Sequence, residues 1–492
     1  MKNFLAKYRP NFYVLLYFIF IFYLCFRVVG GYHSFRQSQT NFPVLNWEKY
    51  GFSPFNPLIP FIGDNSNWLF EFPIYQWIGY ILTHLLPLNL DYIMRLTASF
   101  FAFGGVYELL KVTSLTRRKR QFILVFGTST PFFLYWGTTG LCDWLAIYLS
   151  ILGVKKIMQY ASNRALSSPF HFLIGTAALI ASALIKLPIS FFGGLIALLV
   201  WLYFNPNIKL LSKQLLFLYL PAVIAFVASI AWTNWEKQLY PESDPRHLWV
   251  PSSDNFGWYF GTKEQYSNLL VNVLSVLKSF LLTHNVAVFP IIILLLLMRS
   301  RKSKFVLATI VIVVGYVSTF INLNLIHTYY QIPLALATTF ILIIFMDNPK
   351  IGEFLNSNLT TNLLARTFWI IGLLVTLIGS ESRGYIQNTF TREQDFLDCP
   401  VTSEIKSPIL AVNIQSGPAL FYECELTGFN VFTSSKGQVE AANREFQKYQ
   451  FAYYGDSKNY QELLSFIETR NGKVSSELEP HWIEVIWNAE VD

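Results

Sequence analysis

The chain has 492 residues, of which 53% are hydrophobic and only 14% are charged, whereas a soluble domain carries about a quarter charged residues. This composition excludes an ordinary soluble protein and predicts an integral membrane protein. The net charge of +7 does not indicate nucleic-acid binding, because the basic residues form short clusters between apolar runs.

Apolar runs long enough to cross a hydrocarbon layer of about 30 Å recur along the chain. The sequence predicts about eleven such spans, at residues 11–29, 92–115, 121–138, 141–160, 169–185, 188–204, 214–233, 280–298, 304–323, 328–346 and 366–380. The first run follows a basic leader without a small-residue cleavage site, which is typical of a retained span. The predicted fold class is an all-α polytopic membrane protein.

The loops between these runs alternate in basic content, and basic residues accumulate on the cytoplasmic side. The clusters occur around Lys2–Arg9, Arg117–Arg120, Lys155–Arg164, Lys209–Lys213 and Arg299–Lys304, with Lys350 and Arg366 beyond them. This pattern predicts a multi-pass protein of the cell (inner) membrane with a cytoplasmic N-terminus. With an odd number of spans, the C-terminal tail is periplasmic or extracellular.

Three polar regions are predicted on the outer side. They are the first loop at 30–91, a second loop at 234–279 and the tail from 381 to 492, with a transmembrane domain over 1–380. The stretch FEFPIYQWIGYILTHLLP in the first loop predicts an interfacial helix, because a crossing there would reverse the side of every later basic loop. In the tail, PILAVNI, ALFYEC and WIEVIW predict strands and NYQELLSFIETR predicts a helix, so the tail is expected to be a small α/β domain.

The four cysteines are too few and too scattered for a disulfide framework or a structural zinc site. Cys25 and Cys142 lie in or beside apolar segments and are expected to be inert. Cys399 and Cys424 both lie in the tail, and an oxidising compartment would allow them to form a disulfide.

Ionisable residues at the membrane edge are the candidates for chemistry, because charged groups are costly in lipid and usually functional there. On the outer side these candidates are His33, Arg36, Glu48, Asp64, Glu71, Asp143, Lys186 and His327. Each also has a structural alternative. Asp143 could begin a helix with a favourable dipole contact, Lys186 could snorkel to the headgroups, and Glu71 could cap the following helix. Arg36 could contact lipid phosphate, and His327, Tyr329 and Tyr330 could be interfacial aromatic-belt residues.

Together these residues meet the needs of sugar transfer from a polyprenyl-phosphate donor. Cations must hold the anionic leaving group, and one carboxylate must take the acceptor proton. Lys186, Arg36 and His327 are predicted to bind the donor phosphate, and Asp143 or Glu71 to act as the base. No cluster has metal-ligand spacing, so the sequence supports no metal or other cofactor, although a divalent ion stays possible.

Several short motifs resemble the multi-spanning GT-C glycosyltransferases. They are HSFRQSQT (His33 to Thr40), EFPIYQWIGYIL (Glu71 to Leu82), Arg95-Leu96, Asp143 after YWGTTGLC, Lys186-Leu-Pro and HTYYQIP (His327 to Pro333). Their order over about residues 30–345 is similar to the branch of the protein O-mannosyltransferases and the lipid A aminoarabinose transferases. This resemblance implies a polyprenyl-phosphate-linked sugar donor and an acceptor on the non-cytoplasmic side.

The chain departs from that family at the start of the first outer loop. Where the family usually has a catalytic Asp or Asp-Glu, this sequence has His33, Arg36 and Gln37. The base is therefore expected to be Glu71 or Asp143, while His33, Gln37, Tyr329 and Tyr330 line the pocket.

The sequence thus predicts an inverting membrane glycosyltransferase that uses a polyprenyl-phosphate sugar and an acceptor that is a protein, a lipid or a glycan. A flippase or transporter of lipid-linked sugars is the first alternative. Such a protein would place charges at the bilayer midplane and in repeated broken helices. A non-catalytic membrane subunit whose tail recruits a partner is the second alternative.

Overall fold

The structure is a computed structural model of the whole chain. It describes residues 2–27, 33–55, 59, 71–162, 168–207, 212–239, 260–284, 288–298, 300–348, 384–387, 408–412, 420–422, 424, 426, 428–431, 439, 442, 446–454, 457–479 and 481–487. The predicted span at 366–380, Asp64 and Cys399 lie outside these residues.

The chain divides into two compact units. The first unit contains Met1–Phe26, Arg95–Ala231 and Phe256–Phe390. The second unit contains Arg27–Met94, Trp232–Asn255 and Thr391–Asp492. The predicted first loop thus belongs to the same compact unit as most of the tail. The compact units therefore do not coincide with the predicted domains 1–380 and 381–492, and that division stays a prediction.

The described part of the chain up to residue 348 is helical. The α-helices are α1 (Lys2–Cys25), α2 (Ser34–Tyr50), α3 (Ile74–Leu85), α4 (Leu90–Lys111), α5 (Arg117–Thr128), α6 (Pro131–Trp136), α7 (Asp143–Ser162), α8 (Pro169–Phe204), α9 (Lys213–Leu239), α10 (Lys263–Ser267), α11 (Leu269–His284), α12 (Val288–Leu297), α13 (Arg301–Thr319), α14 (Ile321–Ile326) and α15 (Ile332–Met346). A 3-10 turn, Thr328–Gln331, precedes α15.

Five helical segments in the described residues are long and apolar enough to cross a membrane, or six if one pair bent by 113° counts as a span. They are Leu90–Lys111, Pro169–Phe204, Lys213–Leu239, Arg301–Thr319 and Thr328–Met346, with α11 and α12 as the bent pair. The apolar part of α1, Val14–Cys25, is shorter. The prediction of a mostly helical multi-pass membrane protein is confirmed, whereas the count of eleven spans stays a prediction.

Three of the predicted spans differ in detail because of local sequence signals. The run at 121–138 is divided into α5 and α6, since Thr130 caps the second helix and Pro131 begins it. The runs at 169–185 and 188–204 join in α8, which is kinked where Lys186 adopts an extended backbone (φ −163°, ψ 92°). Pro188 follows directly, and a proline disfavours regular helix before it.

Four of the loops that were predicted to share the cytoplasmic side meet at one end of the first unit. Lys119 donates to the Met346 carbonyl at 2.6 Å, and Arg301 donates to the Tyr203 carbonyl at 2.8 Å. The Tyr203 hydroxyl donates to Asp347 at 2.7 Å. These contacts join four separate loops, which agrees with their assignment to one side. Which membrane side this end faces stays a prediction.

The second unit combines short helices with a small mixed sheet. Helix α3 has 12 residues, about 18 Å, which is too short to span. The strands are β1 (Ile409–Val412), β2 (Gly428–Val431), β3 (Phe451–Tyr453), β4 (Gly472–Glu479) and β5 (Trp482–Trp487), with helix α16 (Ser457–Glu468) before β4. Their order is β2-β1-β3-β5-β4, where β1 is parallel to β2 and β3, and β5 is antiparallel to β3 and β4.

The core of the sheet includes residues from the first outer loop. Phe42 and Ile59 belong to the same buried cluster as β1, β2 and β5. Tyr422 packs edge-on against Phe42 at a centroid distance of 5.3 Å, and its hydroxyl donates to Asp91 at 2.6 Å. Asn41 donates to the same Asp91 oxygen at 2.9 Å. The tail and the first loop therefore share one core.

Most of the tail predictions are confirmed. PILAVNI contains β1, WIEVIW is β5, and NYQELLSFIETR contains most of α16. The prediction of a strand at ALFYEC is wrong, because residues 420–422 are helical and the Cys424 amide donates to the Leu420 carbonyl. Cys424 is disulfide-bonded, whereas Cys25 and Cys142 are buried and form no disulfide.

Candidate functional site

Asp143 and Lys186 form an ion pair in the first unit. Asp143 is the first residue of α7 and is fully buried (0% exposed), whereas Lys186 lies at the kink of α8. The Lys186 Nζ donates to Asp143 Oδ1 at 2.7 Å. The backbone of Lys186 is extended rather than helical, so α8 is interrupted at the residue that forms the ion pair. Asp143 thus begins a helix, as its structural alternative proposed, and also binds a buried cation.

Two tyrosines enclose the ammonium group of Lys186. Its Nζ lies 4.6 Å from the ring centroid of Tyr329 and 4.4 Å from that of Tyr330. These distances are typical of cation–π contacts. The Lys186 side chain is only 10% exposed, so it is enclosed by protein groups in this conformation. The structure therefore brings Lys186 and both predicted pocket tyrosines together.

His327 completes this aromatic group. Its ring stacks on Tyr329 at 5.3 Å with an interplanar angle of 24°. The 3-10 turn that carries the tyrosines is bonded to α13, because the Tyr316 hydroxyl donates to the Tyr330 carbonyl at 2.8 Å. Gln331 also donates to the Asn324 carbonyl at 3.0 Å. The aromatic cluster, defined here as His327, Tyr329 and Tyr330, is thus positioned by its own turn.

A second ion pair lies in the second unit, between Arg36 of α2 and Glu71. Arg36 Nη2 donates to Glu71 Oε2, and both side chains are buried. Gln76 of α3 donates to the other oxygen, Glu71 Oε1, at 3.0 Å. Glu71 does not occupy the N-cap position of α3, which is held by Pro73, a residue whose side chain makes no capping hydrogen bond. Arg36 is 2% exposed, which also argues against a simple contact with lipid phosphate.

His33 and Gln37 lie at the start of α2, one turn apart. Gln37 is buried, and its backbone N–H donates to the His33 carbonyl at 3.3 Å. His33 precedes the helix in the left-handed region (φ 55°, ψ 40°), which is strained for a residue with a Cβ. Burial lowers the pKa of His33 to about 4, so its ring is neutral at pH 7.

The structure adds three residues that the sequence did not single out. Gln76 holds Glu71, Tyr316 supports the turn, and Trp136 packs edge-on against Tyr329 at 5.9 Å. Gln76 was visible as one polar residue within the apolar stretch IYQWIGYIL. Trp136 and Tyr316 are aromatic residues within apolar runs, and nothing in the sequence separates them from other core residues.

The predicted residues therefore form two groups, one in each unit. Asp143, Lys186, His327, Tyr329 and Tyr330 are together in the first unit, and Arg36 and Glu71 are paired in the second. That the two groups build one site stays a prediction. Within the described residues, no group of three or more His, Cys, Asp and Glu side chains could hold a metal ion.

Comparison with solved structures identifies the fold. No family model matches the chain, and no curated protein matches its sequence. The crystal structure of ArnT from Cupriavidus metallidurans in the apo state aligns with a TM-score of 0.60 at 14% identity, over 96% of this chain and 98% of that one. The chain has the ArnT fold. The crystal structure of the same protein bound to undecaprenyl phosphate gives a TM-score of 0.60 at 13% identity, over 96% and 97% of the two chains.

The resemblance to the aminoarabinose transferase branch of the GT-C glycosyltransferases is thus confirmed at the level of the fold. At this identity the alignment carries no residue roles from ArnT to this chain. The roles of the two groups must therefore be argued from their own geometry.

Proposed function

We propose that this protein is a GT-C-type glycosyltransferase that moves a sugar from a polyprenyl-phosphate donor to an acceptor on the non-cytoplasmic side of the membrane. The observation that carries the proposal is the buried Lys186–Asp143 pair with two tyrosine rings around the ammonium group. It is supported by the ArnT fold, one solved example of which holds undecaprenyl phosphate.

Lys186 is the proposed contact for the donor phosphate. An ammonium group in a site of low dielectric attracts a phosphate strongly. In the present conformation Asp143 is its anionic partner. When the donor binds, its phosphate replaces Asp143 as the partner of Lys186 or shares Lys186 with it. The rings of Tyr329 and Tyr330 keep the Nζ in place during this exchange.

The exchange of partners at Lys186 also prepares a base. When the phosphate takes the ammonium contact, the Asp143 carboxylate is released to accept a proton from the acceptor hydroxyl. Glu71 is the alternative base, and Arg36, its present partner, would then hold the phosphate. His327 is proposed as a third phosphate contact, through an N–H of its ring.

The proposed transfer inverts the sugar in a single displacement. The acceptor oxygen forms a bond to the anomeric carbon as the bond between that carbon and the phosphate oxygen breaks. The electron pair of the broken bond leaves with polyprenyl phosphate, and the acceptor proton goes to the carboxylate. Phosphate is a good leaving group, so this step needs no strong general acid.

A reconstituted transfer assay tests the proposal. Purified protein in vesicles receives a labelled polyprenyl-phosphate sugar, and release of polyprenyl phosphate is followed with a membrane extract as the source of acceptors. An enzyme releases polyprenyl phosphate and labels an acceptor. Movement of intact donor between leaflets without release would instead establish a transporter. If neither release nor movement occurred, both activities would be contradicted.

Two variants with matched controls assign the roles. Asp143→Asn and Lys186→Met are expected to lower transfer by at least about 100-fold, the scale of losing a group that stabilises the transition state. Glu108→Gln and Lys155→Met are the controls, because Lys155 and Glu108 form another ion pair that includes α7. These controls are expected to retain transfer within a few fold. Full activity of Asp143→Asn would move the role of base to Glu71.

A further inference from the structure

The first unit contains a cavity that the proposed transfer reaction does not use. Its volume is about 600 Å³, and it is lined by Val14, Phe18, Ser99, Phe100, Phe103, Gly104, Tyr107, Lys111, Arg117, Arg120, Gln121 and Leu124. The walls come from α1, α4 and the beginning of α5. This size lies in the range of about 300–1,000 Å³ that is typical of ligand sites.

The cavity lies toward the opposite end of the helices from the Lys186–Asp143 pair. Lys155 follows Asp143 by twelve residues in α7, which is about 18 Å along the helix axis. The Lys155 Nζ bonds to Glu108, and Glu108 also bonds to Lys111 at the edge of the cavity. The cavity and the ion pair of the proposed function are therefore separate.

The lining has two chemically different parts. Phenylalanine, valine and leucine side chains form an apolar wall, and Phe100 on it is 67% exposed at the surface of the helices. Arg117 and Arg120 supply two positive charges at one end, beside Lys111, which is paired with Glu108, and the lining contains no acidic residue. An apolar wall that ends in cations is complementary to an acyl chain that ends in a phosphate.

We propose that this cavity binds an anionic membrane phospholipid, with an acyl chain along Phe18, Phe100 and Phe103 and the phosphate against Arg117 and Arg120. The two arginines can hold phosphate oxygens in the forked geometry that suits them. Glu108 does not compete for them, because its carboxylate is bonded to Lys111 and Lys155. The lipid would come from the leaflet that the basic loops face.

Native mass spectrometry of the full chain in detergent tests this proposal. Phosphatidylglycerol and phosphatidylcholine with identical acyl chains are added in separate titrations, and glycerol phosphate is added in a third. The proposal expects saturable binding of one phosphatidylglycerol, at least about fivefold tighter than phosphatidylcholine, and no competition by glycerol phosphate. Equal affinities for the two lipids would overturn the anionic preference, and competition by glycerol phosphate would overturn the role of the acyl chain.

A double variant locates the binding. Arg117→Gln with Arg120→Gln should weaken phosphatidylglycerol by about fivefold for each arginine and leave phosphatidylcholine unchanged. The control, Arg118→Gln with Lys156→Gln, removes the same charge from residues that do not line the cavity. Arg117 is exposed and Arg120 is partly exposed, so neither change removes a core side chain. Equal losses in the two double variants would show a general charge effect and overturn the site.

Discussion

The predicted site residues form one ion pair in each compact unit, and these two pairs are built differently. In the first unit, the Lys186–Asp143 pair is surrounded by aromatic rings at the kink of an otherwise long apolar helix. In the second unit, Arg36–Glu71 connects the short α2 to the residues before α3, and an amide from Gln76 takes the remaining carboxylate oxygen. The Lys186–Asp143 pair therefore has aromatic rings around its cation, and the Arg36–Glu71 pair has a further hydrogen bond to its carboxylate.

This difference indicates which pair can exchange its partner. Both oxygens of Glu71 are engaged by donors, and Arg36 offers a planar group with several fixed donors, so opening this pair breaks a network. Lys186 carries a compact charge with three rotatable donors, and its contacts with the ring faces do not fix the direction of those donors, so a second anion can approach without loss of the ring contacts. The first pair is thus the better phosphate contact, and the second is the better structural support.

The largest expected effect is that of removing the cation of the first pair. Lys186→Met leaves the fully buried Asp143 without its ammonium partner, which should destabilise the protein by about 3–5 kcal/mol and abolish transfer. Thermal unfolding in detergent and the transfer assay measure the two losses. Lys186→Met with Asp143→Leu should recover most of the stability but no transfer. A Lys186→Met protein as stable as the wild type would contradict the buried pair.

The next effect concerns the network of the second pair. Gln76→Leu removes the donor to Glu71 Oε1 and keeps a side chain of similar size, so it should cost about 1.5–3 kcal/mol. The denaturant midpoint in detergent measures this cost. Gln76 has a supporting role in this account, so the transfer rate per folded molecule should change by less than about threefold. Loss of about 1.4 kcal/mol of transition-state stabilisation would instead change it about tenfold. A large loss of transfer at unchanged stability would place Gln76 in the site instead.

A smaller effect separates ring contacts from hydroxyl contacts at Lys186. Tyr329→Leu removes a cation–π contact and should raise the KM for the donor by about tenfold, since such a contact is worth up to about 2 kcal/mol. Tyr329→Phe keeps the ring and should stay within about twofold. If the two variants lost donor affinity equally, the hydroxyl would be the important group, and the ring would not hold the lysine.

The smallest effect is a pH dependence from His33. Its pKa of about 4 in the folded state lies below the usual value of about 6.5 in the unfolded chain, so protonation favours unfolding. The stability contribution is complete above about pH 6.5 and is lost as the pH falls from there toward about 4. Because His33 is partly exposed, we expect a loss of up to about 1 kcal/mol at pH 5. Denaturant midpoints at pH 7.5 and 5 should differ less in His33→Gln, and an unchanged difference would contradict this account.

Sequence reasoning identified much of the first unit because its signals are local. Apolar length predicted α4, α8 and α9, and Lys186-Leu-Pro predicted the break in α8. Four of the predicted cytoplasmic loops also meet at one end, in agreement with their alternation. The partnership of Lys186 with Asp143 was not predicted, because the two residues are separated by 43 positions and no local pattern links them.

The second unit was harder to predict because its core is assembled from distant segments. Phe42 of the first loop packs with tail residues that follow it by more than 360 positions. ALFYEC has the composition of a strand but is helical around residues 420–422, where Phe421 and Tyr422 pack against the shared core. Tertiary packing overrides β propensity in such a short segment.

Binding of undecaprenyl phosphate tests the central claim most directly, because it examines the phosphate contact without any need for an acceptor. Wild-type protein, Lys186→Met, Asp143→Asn and the control Lys155→Met are titrated with the lipid and followed by native mass spectrometry. We expect Lys186→Met to bind at least about tenfold more weakly, while Asp143→Asn and Lys155→Met bind at least as tightly as the wild type. Equal affinity in the wild type and Lys186→Met would contradict the assignment of Lys186 to the donor phosphate.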